Sequence, residues 1–63
     1  MFRETWNLMQ KITTAHKEIR IGSFEDDGGL RVFIKNINTG DHNEIKMFKD
    51  QPELLEKACS LVI

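Results

Sequence analysis

Five consecutive residues near the middle of the chain, Glu25-Asp26-Asp27-Gly28-Gly29, restrict the fold more than any other stretch. Asp and Gly reach positive φ at low cost, and tight hairpins demand it. The residues on either side alternate as strands do. Upstream, over Lys17 to Phe24, Ile19 and Ile21 alternate with Glu18 and Arg20, a period of two. Phe24 breaks that phase, and Gly22-Ser23 reads as a bulge that resets it. Downstream, Leu30, Val32 and Ile34 point one way while Arg31, Phe33, Lys35 and Ile37 point the other. A second turn is expected over Asn36 to Asp41, with Gly40 in a left-handed position. A third strand follows over Asn43 to Phe48, with Ile45 and Met47 on one face and Glu44 and Lys46 on the other.

Helical periodicity brackets these strands. Phe2, Trp6, Met9, Ile12 and His16 step by three or four residues, widened by Leu8 and Ala15, and predict a first helix ending near residue 15. Asp50, Pro52 and Glu53 read as the capped start of a second helix with an Asp-x-x-Glu capping box. Leu54, Leu55, Ala58, Cys59, Leu61 and Val62 form its apolar stripe. Short turns make consecutive strands antiparallel neighbours. The expected fold is therefore α+β, in the order α-β-β-β-α. A three-stranded antiparallel sheet carries one N-terminal and one C-terminal helix on the face made by Ile19, Ile21, Leu30, Val32, Ile34, Ile45 and Met47.

At 63 residues, residues 1–63 read as one small domain. The initial Met and the lack of any tag-like stretch read as a complete small open reading frame. Chains of this length are marginal and gain margin from a disulfide, a metal or a partner. One cysteine, Cys59, cannot form an intramolecular disulfide, so a reducing, cytoplasmic compartment is expected. No export signal or membrane-length apolar run is present. With 9 Lys+Arg against 10 Asp+Glu, the net charge of −1 gives no global attraction for nucleic acid or an anionic membrane.

The chemistry-bearing residues are sparse. Cys59, His16 and His42 are the candidates for nucleophilic work. Cys59 lies on an apolar stripe, His16 at a helix end and His42 beside a turn, which leaves no convergent set. One Cys and two separated His fall short of a zinc site, and Gly28-Gly29 lacks the Lys-Ser/Thr of a phosphate loop. The chain is expected not to be an enzyme and to need no cofactor.

Two surfaces remain. The acidic hairpin tip, Glu25, Asp26 and Asp27, could meet a basic surface, although turn chemistry alone accounts for its composition. The outer sheet face is expected to show Glu18, Arg20, Arg31, Phe33, Lys35, Glu44 and Lys46: four basic groups around one aromatic, with no aromatic pair. Cross-strand charge pairing explains the same residues as sheet stabilisation. An aromatic centre in a polar rim also describes a protein-binding patch. The apolar end Leu61-Val62-Ile63 is either tucked under the sheet or paired with another copy, so a homodimer is one expectation.

No family motif is matched. In element order and size the chain is similar to several small phage-encoded inhibitors of host enzymes, including some anti-CRISPR proteins, a likeness of topology that no residue carries. The leading expectation is a non-enzymatic regulator or inhibitor, of phage or mobile-element type, that binds a larger protein. Its contact residues would be Phe33, Arg20, Arg31, Lys35 and Lys46, or Glu25, Asp26 and Asp27 at the tip. The alternatives are single-stranded nucleic-acid binding on the same sheet face, and a small accessory subunit of a larger assembly.

Overall fold

The computed structural model describes all 63 residues. Their order is α1 (Arg3–Ala15), β1 (Ile19–Asp26), β2 (Gly29–Asn36), β3 (His42–Met47) and α2 (Pro52–Ser60). The sheet is antiparallel with β2 in the centre, the α+β arrangement expected from the periodicities.

Turn chemistry sets the two hairpins. Asp26 pairs with Gly29, and the loop between them is Asp27 and Gly28, with φ of 52° and 77°. Positive φ at both positions is what a two-residue type I′ turn requires. The β2–β3 turn is built on Asn36. Its backbone N–H donates to Asp41 and its carbonyl accepts from Gly40, both at 2.8 Å, and Gly40 has the expected left-handed φ of 83°.

The expected bulge at Gly22-Ser23 is absent. Pairing runs unbroken from Ile19 with Asn36 to Asp26 with Gly29. β1 therefore keeps its phase through Phe24 and extends two residues further than the sequence pattern suggests. Phe24 joins Arg20 on the outer face instead of returning to the core.

The inner face carries the core. Ile19, Val32, Ile34 and Met47 are almost wholly buried under Met9 and Ile12 of α1 and Leu55, Ala58 and Cys59 of α2. Ile21 and Ile45, on the two edge strands, are only half-buried. Val62 is buried while Leu61 and Ile63 remain exposed, so the C-terminal end is tucked in by one residue of three.

Two expectations about the helices are corrected. The buried stripe of α1 is Thr5, Met9 and Ile12, while Trp6 is 53% exposed. The reason is Thr5, whose hydroxyl donates to Asp50 Oδ1 at 2.6 Å and lies 3.4 Å from Met47 Sδ. Asp50 in turn does not cap α2, whose N-cap residue is Gln51 without a side-chain bond. Its carboxylate accepts from the N–H groups of Glu4 (2.8 Å) and Thr5 (2.9 Å). It thus caps α1, whose own N-cap residue Phe2 has no polar side chain. One carboxylate ties the start of the chain to the β3–α2 loop. No helix is long and apolar enough to cross a membrane.

Candidate binding face of the sheet

Strand pairing arranges the outer face in cross-strand rows. Arg20, Lys35 and His42 form the first row; Gly22, Phe33 and Glu44 the second; Phe24, Arg31 and Lys46 the third. Asp26 faces Gly29 at the hairpin end. Phe33 sits opposite Gly22, so nothing on β1 covers it directly, and it reaches its diagonal neighbour Phe24. The two rings stack with centroids 5.8 Å apart and planes 20° from parallel. They remain 50% and 41% exposed, Phe24 and Phe33 respectively. The face thus holds an aromatic pair where sequence reasoning finds a lone Phe33. Reading the alternation straight through Gly22-Ser23 would have found it.

Phe48 continues the same phase on the β3 side. It is 67% exposed, and the Lys46 ammonium lies 5.1 Å from its ring centroid. Its ring also covers Gly29, where an added Cβ would lie 3.1 Å from Phe48 Cδ1 and 2.8 Å from the Met47 carbonyl oxygen.

The charged residues divide into two groups. Toward the hairpin end, Arg31 pairs with Asp26 at 3.1 Å and with Glu44, and Lys46 pairs with Asp26 at 3.5 Å. The Arg31 hydrogen bond, followed by the charge of Lys46, holds the Asp26 carboxyl below its ordinary value. Bonds to Glu44 and then Asp26 raise the Arg31 guanidinium. Two cations and two anions neutralise one another across three strands. At the other end, Arg20 meets no carboxylate; Nη1 donates to the carbonyls of Lys17 (2.6 Å) and Ile19 (3.4 Å). Lys35 is exposed. Of the four basic residues expected to line the face, Arg31 and Lys46 are occupied, and Arg20 and Lys35 keep uncompensated charge.

The acidic tip does not hold together as one surface. Asp26 belongs to the outer-face ion network, Glu25 lies on the opposite face, and Asp27 is in the turn. The three carboxylates are adjacent in sequence and separated in space by strand alternation.

Elsewhere the chemistry is thin. His16 and Cys59 line one open groove between the helices. Cys59 is 2% exposed and its thiol is pushed up to about 11 by burial, the reverse of what a nucleophilic thiolate needs. Nowhere do three His, Cys, Asp or Glu side chains converge as metal ligands. Comparison with family models, curated proteins and solved structures finds no match.

Proposed function

We propose that this chain is a non-enzymatic protein-binding module, acting as a regulator or inhibitor of a larger partner through its outer sheet face. The observation that carries the proposal is the stacked, half-exposed Phe24–Phe33 pair on a paired sheet. Exposing aromatic area to water is unfavourable. Rigid aromatic anchors lose little side-chain entropy on binding and dominate interface energetics. Arg20 and Lys35 beside the pair keep charge available to a partner carboxylate, whereas Arg31, Lys46, Asp26 and Glu44 form a self-satisfied rim. The contact set is therefore Phe24, Phe33, Arg20 and Lys35. Glu25 and Asp27 drop out of it, and Asp26 enters only as part of the rim.

Affinity purification from the native host with the wild-type chain and with Phe24→Ala/Phe33→Ala tests this reading. The double variant keeps its fold, because both rings lie outside the core, and loses the captured partner. Equal capture by a folded double variant refutes the proposal.

The aromatic pair also favours a second reading, stacking of single-stranded bases beside Arg20 and Lys35. It predicts oligonucleotide binding that weakens with salt at a log–log slope of about −0.7 per phosphate contact. Absence of binding at low salt eliminates it.

A further inference from the structure

We propose that β1 pairs antiparallel with β1 of a second copy, joining two three-stranded sheets into one of six strands. The inference rests on the backbone edge of β1 and shares only Arg20 and Phe24 with the partner-binding reading. It begins with the unequal edges of the sheet.

In an antiparallel pair, positions whose backbone groups face the neighbour alternate with positions that face away. The Glu18 carbonyl accepts from Ile37 N–H at 2.9 Å, and Asn36 N–H turns to Asp41 on the β3 side at 2.8 Å. Arg20, Gly22, Phe24 and Asp26 therefore direct their backbone groups to β2, and Ile19, Ile21, Ser23 and Glu25 direct theirs outward. Ile19 is already served, its N–H by the His16 carbonyl at 3.0 Å and its carbonyl by Arg20. Ile21, Ser23 and Glu25 present a row of free donors and acceptors. The β3 edge differs. Its outward positions are His42, Glu44 and Lys46, all charged or ionisable, and the Glu44 N–H is taken by Asn43 Oδ1 at 2.9 Å. Short, charged edges resist pairing; long, mostly uncharged ones invite it. β1 has eight residues and β3 has six.

The β1 edge complements itself. A two-fold axis at Ser23 sets Ser23 against Ser23, Ile21 against Glu25, Gly22 against Phe24 and Arg20 against Asp26 of the second copy. At Gly22 an added Cβ meets nothing within 4 Å, so the space opposite it is free for Phe24 from across the axis. Asp26 accepts from Arg31 and Lys46 on Oδ2, which leaves Oδ1 for Arg20, a cation that meets no carboxylate in the monomer. Above the seam, Trp6 stands half-exposed on the flank of α1 turned away from α2. It lies about 160° around the helix from Leu8, and Leu8 shares a groove with Pro52, Glu53 and Glu56 of α2. α1 packs on β1 and α2 on β3, so that flank overhangs the open edge.

Sedimentation equilibrium of the full chain, at concentrations rising to about 1 mM, reads the assembly. The expected result is a monomer–dimer equilibrium. Ser23→Pro removes an N–H the monomer does not use, as edge positions tolerate, and weakens dimerisation at least ~tenfold. Hydrogen exchange on the wild-type chain gives a second readout: the amides of Ile21, Ser23 and Glu25 gain protection with concentration while that of Glu44 does not change. Ser23→Cys checks the register, because opposed Cα atoms about 5.5 Å apart lie within disulfide range and buried Cys59 gives no background. Phe33→Ala leaves the dimer intact, which separates this proposal from the partner-binding reading. A monomer at every concentration, protection on the β3 edge instead, or no cross-linked Ser23→Cys dimer overturns it.

Discussion

Replacing Asn36 by Ala tests how the end of the chain is held to the sheet. Asn36 is 4% exposed. Its Nδ2 donates to the Val62 carbonyl at 2.9 Å, and its Oδ1 accepts from the N–H groups of Asn38 (2.9 Å) and Thr39 (3.2 Å). Alanine keeps the backbone bonds of residue 36 and loses these three. Asn38 and Thr39 are exposed, so water replaces the side chain there at small cost. The Val62 carbonyl has no such recourse, and an unpaired buried acceptor costs about 1–3 kcal/mol. Adding the void left by the amide gives about 2–4 kcal/mol in all. A chain of this length has roughly 3–9 kcal/mol of total stability, so the loss is a large fraction. It lowers Tm by roughly 15–30 °C.

Urea denaturation followed by far-UV circular dichroism measures the change, with an unaltered m-value as the check that the same surface is exposed. Asn36→Asp sharpens the test. It keeps the acceptor for Asn38 and Thr39 but sets a carboxylate oxygen against the Val62 carbonyl. The buried carboxyl then has a raised folded pKa, so stability is low at neutral pH and recovers as pH falls and the protonated acid donates again. A loss below about 1 kcal/mol for Asn36→Ala, or no recovery of Asn36→Asp in acid, refutes the reasoning.

Gly29→Ala should unfold or severely destabilise the chain, because its Cβ would lie 2.8 Å from the Met47 carbonyl oxygen, while Gly22→Ala, in open space, should leave the monomer's denaturation midpoint nearly unchanged. Asp26 and Asp50 are held below their ordinary values, the first chiefly by Arg31 and the second chiefly by the Thr5 hydroxyl. Their contribution is present above the unfolded carboxyl value of about 3.9 and is lost as pH falls through the depressed folded values. Acid titration of Asp50→Asn should therefore show a shallower loss of stability than wild type. Cys59, pushed up to about 11 by burial, should resist alkylation at pH 8 in the native state and react once urea unfolds the chain; prompt native labelling would contradict its burial.

The elements legible in the sequence are those whose signals are local. Alternation from Leu30 to Ile34 and the Asp27-Gly28 turn each depend on neighbours a few residues away, and each appears where expected. The misreadings come from partners distant in the chain. Asp50 matches a capping box for the helix after it, yet its carboxylate serves Glu4 and Thr5, about 45 residues back. Nothing in the local pattern distinguishes a near cap from a far one, because both need the same carboxylate. Trp6 fits the α1 stripe by spacing, but long-range bonding of the Thr5 hydroxyl selects a rotation that buries Thr5 and exposes Trp6. Phe24 breaks the expected alternation only on the assumption that a large aromatic in a strand belongs inside.

That assumption fails here for a reason that ties the outer face together. A glycine at position 22 leaves open space in β1 opposite Phe33, whose ring stacks on its diagonal neighbour Phe24. Each ring shelters part of the other, which lowers the cost of keeping two aromatics on a solvent-facing sheet. The same open space lies beside the unpaired edge of β1, so one small residue sits between the exposed aromatic pair and the open edge. Enlarging Gly22 to Val should therefore fill that open space and crowd the seam between copies while sparing the core. The monomer would stay folded and associate more weakly.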